Sequence, residues 1–516
     1  MLTKKAPDVN TIILTTLNAR YSHTSIGLRY LFANLGELQN QASIAEFTIN
    51  DNVQDIAEQL LASKPSIIGI GVYIWNVIQV SELIHTIKKV SPETIVILGG
   101  PEVSYDPIRM NMDVADYIIR GEGELAFHAL CQAIVGVEKP TKRIIDAGTV
   151  NLNDIELPYR YYSNEDVKNR YIYVEASRGC PFSCEFCLSS MDNRVRNLFI
   201  DRLLEEFEIL WQRGVRSFKF IDRTFNLNPK ISNQILDFFL NKDADYFAHF
   251  EVIPDHFPMS IQQRIKQFKP ASLQLEVGIQ TLNNEVATRI HRKLNIEKIK
   301  ENITFLEHET HAHMHLDLIV GLPGENLESF GKGLNQLCSL TDAEIQIGIL
   351  KNLSGTSLSR HNETYGMVYS DKPPYDIIKS NDLSFEDIQK MKRFARFWNL
   401  YKNSGNFNMS LTILWQKDGV FESFFAFSLW IYKQTNSTWQ ISLDRLAKLL
   451  FEYLNHTGLA EQQHIADCLV QDLMKIEGRV LPAFLRPYTP HIPKVQKNKA
   501  SGHNKRQLRH LSSTEK

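Results

Sequence analysis

The 516-residue chain has almost no net charge: 57 Lys and Arg stand against 59 Asp and Glu, leaving −2, which argues against a global polyanion binder. It has no run of 18 apolar residues; the most apolar window, 411–432, is broken by Lys417, Asp418 and Glu422, so no membrane span is expected. The opening Met-Leu-Thr-Lys-Lys-Ala-Pro-Asp lacks an apolar core of signal-peptide length, and the expectation is a cytoplasmic protein. No repeat of solenoid period occurs, nor any strong low-complexity tract before the C-terminal tail. Cysteine is scarce, at six residues, yet three of the six fall within eight positions. In a reducing compartment such crowding points to a metal or redox site before disulfides.

What is present is an ordinary globular balance, 43% hydrophobic and 22% charged, which excludes a disordered or collagen-like chain and a small disulfide scaffold. The length suits about three domains at roughly 150 residues each. Charge is unevenly spread. From Lys494 to Lys516 seven Lys/Arg and one acid make a local +6, leaving −8 for the rest. Residues 490–516 therefore read as a basic, solvated tail; nucleic-acid contact by it is the less favoured reading.

Residues 1–150 alternate β-branched runs with helical patterns. Strands are predicted at Thr11–Leu17, Ile44–Ile49, Ile67–Val72, Ile95–Leu98 and Tyr117–Ile119, with helices at Gly27–Gln39, Val53–Ala62 and Val77–Val90 between them. Such alternation predicts a doubly wound parallel sheet, whose ligands sit at the carboxyl ends of the strands. Those ends read Asn18-Ala-Arg-Tyr-Ser-His23, Tyr73-Ile-Trp-Asn76, Gly99-Gly-Pro-Glu102 and Arg120-Gly-Glu-Gly-Glu124.

Residues 151–170 are polar, contain proline and read as a linker. A second alternation, over 171–360, gives six strand candidates: Ile172–Ala176, Ser217–Ile221, Ala248–Ile253, Leu273–Val277, His315–Val320 and Glu344–Leu350. Six repeats in about 180 residues suit a partial barrel, since eight repeats typically take about 250. Over 380–485 the pattern turns helical, at Phe385–Tyr401, Phe421–Lys433, Leu443–Asn455 and Gln462–Ile476. The fold class expected is thus α/β: a doubly wound parallel sheet, a (β/α)6 partial TIM barrel and a mainly α-helical C-terminal domain.

The decisive segment is Glu175-Ala-Ser-Arg-Gly-Cys180-Pro-Phe-Ser-Cys184-Glu-Phe-Cys187. It sets three thiols in the loop after the first barrel strand, where barrel active sites form. Thiolates are soft ligands for zinc or iron–sulfur clusters. A structural zinc site normally closes with four protein ligands, and no fourth Cys or His follows in this loop. Three ligands suit a 4Fe–4S cluster with one iron open. An incomplete zinc site and a chance grouping are the competing readings.

CxxxCxxC with Phe186 before the third cysteine resembles the signature of the radical S-adenosylmethionine (SAM) enzymes. A parallel α/β domain ahead of the barrel resembles their subgroup with an N-terminal cobalamin-binding-type domain. The resemblance covers roughly residues 10–350. It implies that Cys180, Cys184 and Cys187 hold a 4Fe–4S cluster whose open iron binds SAM, cleaved by one electron to a 5′-deoxyadenosyl radical. It implies further that Asp222 accepts from the SAM ammonium, the alternative being a helix N-cap, and that Glu276 and Gln280 stand near the ribose. Leu318-Ile-Val-Gly321-Leu-Pro-Gly324-Glu325 resembles the motif flanking adenine, with Asp317 in place of its first glycine.

Tyr73, Asn76, Gly99 and Gly100 resemble the subgroup's cobalamin-facing edges. The common Asp-x-His-x-x-Gly loop is not matched: Tyr21-Ser-His23-Thr-Ser-Ile-Gly27 has one residue too many before the glycine and Tyr in place of Asp. His23 is therefore read as a loop or substrate contact and not a cobalt ligand. Cys131, Cys338 and Cys468 read as small buried hydrophobes. In the run His308-Glu-Thr-His311-Ala-His313-Met-His315, a strand would place His311, His313 and His315 on one face; solvated or hydrogen-bonded histidines are the preferred reading.

The implied activity is radical functionalisation of an unactivated C–H bond in a small-molecule or unknown substrate. A flavodoxin- or ferredoxin-type protein would donate the electron. With cobalamin bound, methyl transfer or ring closure follows; without it, the N-terminal sheet is a substrate or docking domain. The alternative class is a zinc-stabilised RNA-binding or scaffold protein. An RNA-modifying methylthiotransferase would be expected to show a second cysteine cluster and a C-terminal β-barrel.

Overall fold

The structure is a computed structural model and describes residues 11–136, 139–416, 418–476 and 479–489. The basic tail at 490–516 lies outside the described residues. Among those residues the N-terminal sheet has six parallel strands, β1 (Ile12–Asn18), β2 (Ala42–Thr48), β3 (Ile67–Gly71), β4 (Ile95–Gly99), β5 (Tyr117–Gly121) and β6 (Ile144–Gly148), in the order β2-β1-β3-β4-β5-β6. β6 is one strand beyond the sequence expectation. It is the edge strand, only partly buried, so it lacks the apolar run that marks β1, β3 and β4.

β1 is buried along its whole length because helices cover both faces of the sheet, and a separate apolar cluster lies on each face. The helix Val53–Leu61 illustrates the logic. Asn52 caps it by accepting from the Gln54 and Asp55 amides, and Val53, Ile56, Ala57 and Leu60 make the buried stripe. The helix expected over Gly27–Gln39 instead runs Ile26–Ala33 and gives way to a 3₁₀ turn, Gly36–Gln41. Asn34 ends it: its side chain exchanges two hydrogen bonds with the Glu156 backbone, N–H to Oδ1 at 2.8 Å and Nδ2 to carbonyl at 3.0 Å.

That contact belongs to a larger correction. The stretch read as a linker is packed structure, in which Leu152, Ile155, Leu157, Tyr159 and Tyr162 join the barrel core. The helix Asn164–Asn169 is closed by a capping box between Ser163 and Asp166. The polar residues that suggested a solvated connection are engaged in a buried ring of charge. Arg29 Nη2 lies 2.8 Å from both Glu46 and Asp166, and Arg170 Nη1 lies 2.9 Å from the same two carboxylates. The ring ties β2, the first helix and the connecting segment together.

The barrel strands are Ile172–Val174, Ser217–Phe220, Phe247–Val252, Leu273–Gln280, His313–Val320 and Glu344–Ile349, all parallel and in sequential order. Burial alternates along the whole fifth strand and along the fourth from Leu275 onwards. Their apolar side chains face the surrounding helices, and Gln274, Glu276, His313, His315 and Asp317 line the bore.

The C-terminal region shows five α-helices after residue 384 among the described residues, Asn408–Leu414 being the one not foreseen. Barrel and helices share a continuous core. Asn403 covers the open edge of the last barrel strand, accepting from the Ile345 N–H at 3.1 Å and donating to its carbonyl at 2.8 Å.

Removing one member of the buried charge ring leaves the opposite charges uncompensated. Asp166→Ala is expected to destabilise the fold by about 3–5 kcal/mol, read as a lower denaturation midpoint in urea.

Candidate functional site

The cluster loop is framed by Ser177–Arg178 pairing antiparallel with Arg196–Asn197, which closes the segment between them into a hairpin. Within it the Cys180 amide donates to Asp192 (2.9 Å) and the Cys187 amide to Cys184 (3.2 Å). The three thiols are unbridged and line one cavity of about 500 Å³ at the carboxyl end of the barrel strands. Burial pushes the Cys180 thiol up, the neighbouring Cys184 and Cys187 add to this, and Arg292 opposes it. Arg292 donates to Cys184 Sγ at 3.4 Å and to the Gly278 carbonyl, so it joins the loop to the fourth strand.

Glu276 and Gln280 line the same cavity, as do Lys219, Arg223, His249, Glu251 and Asp317. Glu276 is the hub of the bore. It contacts His249 Nε2 at 3.1 Å, His315 Nδ1 at 3.0 Å, Gln274 at 2.9 Å and Gln346 at 2.9 Å. Burial disfavours its charge, but the two imidazoles outweigh that and hold its pKa well below the usual range. Conversely, His315 is held up to about 9: burial works against its charge, and the Glu276 and Glu344 carboxylates overcome it. Asp317 is pushed up to about 7, first by burial and then by Glu276 and Glu251.

The remaining expected SAM contacts sit elsewhere. Asp222 does not line the cavity: it is buried, accepts the Ala176 amide at 2.9 Å and the Ser177 hydroxyl at 2.6 Å, and caps no helix. Its role is to hold the end of the first barrel strand to that of the second. Glu325 is likewise buried and accepts from Thr281 at 2.6 Å, locking two strand-end loops together. Gly321 and Gly324 have φ of +93° and +76°, and a Cβ at Gly324 would run into the Arg289 guanidinium. They make the turn and do not face the cavity.

Lys219, Arg223, Glu251 and Arg292 were not foreseen as site residues. The available signal was a charged residue alternating with buried aromatics, as Lys219 does between Phe218 and Phe220. Arg292 has no such signal, because it follows a short helix and reaches the site only through the loop's return.

A second cavity, of about 400 Å³, opens at the carboxyl edge of the N-terminal sheet. It is lined by seven glycines (27, 69, 71, 99, 100, 121 and 123), by aliphatic side chains and by Tyr73. At Gly99 a Cβ would stand 3.7 Å from the nearest atom, so the cavity is bounded there by bare backbone. Asn76 does not reach it. Fully buried, Asn76 accepts the Tyr73 amide (2.8 Å) and donates to Thr16, Leu17 and Gly71 (3.1 Å each), stapling the ends of β1 and β3 where the sheet order reverses. His23 is hydrogen-bonded to Tyr173 at 2.6 Å, and among the described residues no histidine lines this cavity.

Both pockets fit the groups that the motifs imply. Three soft thiolates facing one cavity, without a fourth cysteine in its lining, suit a 4Fe–4S cluster with an open iron. A glycine-walled apolar cradle at the switch point suits a large, flat cofactor approached by backbone. One wall separates them. Arg178 and Ile221 line the cradle, while Cys180 and Arg223, two residues further along each strand end, line the thiol cavity.

Comparison with known families agrees with this arrangement. Residues 12–131 match the B12 binding domain, 174–337 the radical SAM superfamily, and 363–515 a family described as a protein of unknown function, DUF4080. Residues 12–131 and 174–337 thus read as a B12-binding domain followed by a radical SAM domain. Such a pair of domains implies a 4Fe–4S cluster, SAM and cobalamin.

An uncharacterised methyltransferase of Pyrococcus horikoshii is 29% identical over 40% of this chain and 50% of its own length. The cobalamin-dependent radical SAM methyltransferase TokK of Streptomyces tokunonensis is 24% identical over 58% of this chain and 49% of its own. The chain thus spans about half the length of the curated relatives it matches. In fold it is similar to the cobalamin-dependent radical enzyme OxsB, with a TM-score of 0.60 and 13% identity over 90% of this chain and 84% of that one. The methyltransferase TsrM of Kitasatospora setae gives 0.58 and 15% over 70% and 78%.

Burial pushes the Asp222 carboxyl up to about 7, against hydrogen bonds from Ser177 and Ala176 that favour its charge. A carboxyl raised on folding contributes stability that is full below pH ~4 and lost as pH rises through about 7. Urea midpoints of Asp222→Asn are therefore expected to gain on the parent protein across that interval, the amide having no proton to lose.

Proposed function

We propose that this chain is a cobalamin-dependent radical SAM enzyme that transfers a methyl group to an unactivated carbon of a small-molecule substrate, with ring closure as the related outcome. The observation that carries the reading is the single wall between the thiol cavity and the glycine-lined cradle, built from Arg178–Cys180 and Ile221–Arg223. The residues on its two sides would hold the two groups close to one another.

When bound, the cluster with SAM supplies radical initiation and cobalamin supplies the transferable methyl. This chain's own residues supply the rest. Cys180, Cys184 and Cys187 hold the cluster, and Arg292 steadies Cys184. Glu276 and Gln280 offer acceptors to the SAM hydroxyls, and Arg223 and Lys219 offer positive charge in the same cavity. Asp317, with its pKa near neutrality, presents a protonatable carboxyl to the same cavity.

The electron donor proposed is a flavodoxin- or ferredoxin-type protein, consistent with cytoplasmic residence. Among the described residues no helix is long and apolar enough to cross a membrane. The N-terminal domain carries Cys131, on the helix Glu124–Val135, as its one cysteine among the described residues, and the C-terminal region is helical, neither feature suiting a methylthiotransferase.

Anaerobically reconstituted protein, given SAM, a strong reductant and cobalamin, is expected to form 5′-deoxyadenosine and retain cobalamin. Cys180→Ala, Cys184→Ala and Cys187→Ala should each abolish the 5′-deoxyadenosine. Gly99→Phe, which fills the cradle, should lower retained cobalamin at least tenfold while leaving the iron content unchanged. Zinc in place of iron, or cobalamin retention unaltered by Gly99→Phe, would count against the assignment.

A further inference from the structure

The amino-terminal end of the barrel, opposite the thiol cavity, carries a cluster that neither pocket uses. His313 and His315 lie two residues apart on the fifth strand and face the bore together, while His311 precedes the strand. Glu344 opens the sixth strand and pairs in register with His315. Its side chain is fully buried. We propose that His313, His315 and Glu344 bind a divalent transition ion of the zinc type.

Three observations support this. The first is proximity: one ligand atom from each residue lies within 4.8 Å of the others. Two imidazole nitrogens and a carboxylate oxygen are a donor set that zinc accepts, with a fourth position for water.

The second is the spacing itself. His313 Nε2 stands 3.3 Å from Glu344 Oε1, and His315 Nε2 stands 3.6 Å from Glu344 Oε2. Ligands about 2.0–2.2 Å from a tetrahedral ion lie about 3.3–3.6 Å apart, the edge of the tetrahedron. The two separations fall near that edge, each to a different oxygen of Glu344.

The third is the setting of His315. Its Nδ1 lies 3.0 Å from Glu276 Oε1, which fixes the ring and turns Nε2 towards Glu344. Metal-bound imidazoles are oriented by a carboxylate on the other nitrogen in the same way. That Nε2 is buried and has no hydrogen-bond partner. Glu276 thereby touches both ends of the bore, the thiol cavity on one side and the ion's ligand on the other.

The test uses the full chain with Cys180, Cys184 and Cys187 all changed to Ser, so that the cluster thiols cannot take the metal. Stripped with chelator and titrated calorimetrically with Zn²⁺, it is expected to bind one ion per chain. His315→Ala and Glu344→Gln in that background should each weaken binding at least tenfold. Glu276→Gln, which leaves all three ligands in place and removes the charge that orients His315, should weaken it by about 10–100-fold. Absence of saturable binding, or binding that survives both His313→Ala and His315→Ala, would overturn the site. Zinc-edge X-ray absorption on the loaded triple-serine chain needs no histidine variant. Two imidazoles with oxygen are expected, and a shell of sulfur or of oxygen alone would refute the assignment.

Discussion

Arg178 is the residue through which the two halves of the molecule meet. It stands two positions before Cys180, yet its guanidinium lies 2.8 Å from Glu124 of the N-terminal domain, 2.9 Å from Glu175 beside it and 3.6 Å from Glu122. The same group rests over the Tyr30 ring at 4.7 Å. A buried cation among three carboxylates is costly to form and far costlier to break, because removing it strands like charges in a poorly hydrated space. Arg178 therefore helps to set the position of the cluster loop relative to the glycine-lined cradle. Arg196 reinforces it by bridging Glu122 to Asp192 within the hairpin that carries the thiols.

The barrel bore follows from the same economy of charge. Most of the strand residues that point inward are polar, and they satisfy one another through Glu276, His249, His315, Gln274 and Gln346. A filled apolar bore would be simpler to stabilise, but it could not seat a polar ligand. The bonds through Glu276 fix the orientation of the side chains they link.

The C-terminal helices complete the barrel more than they form a domain of their own. Asn403 pairs with the free edge of the last strand, and the Phe421 ring meets Phe330 from the barrel side at 6.1 Å. A second clamp acts on the cluster loop: Glu185, between Cys184 and Phe186, lies 2.6 Å from both Arg360 and His361, which follow the last barrel strand. A partial barrel with two open edges would otherwise expose unpaired backbone beside the reactive centre.

The order of elements, the thiol triad and the class of chemistry were legible in the sequence, because periodicity and short-range spacing are properties of neighbours in the chain. The amino acids alone determined an apolar run for each central strand, a two-residue alternation for the bore, and three cysteines on one loop. They did not reveal that residues 151–170 are packed, since their polar side chains find partners in Arg29 and Glu46 more than a hundred positions away. Nor did they separate the residues that face the cavity from those that brace it. Asn76, Asp222 and Glu325 sit where binding groups are expected, but the folded chain spends their hydrogen bonds on itself, whereas Arg292 and Arg223 arrive at the cavity from segments with no motif. Which side of a strand end a side chain takes, and which distant carboxylate meets it there, is settled only when the strands and loops close on one another.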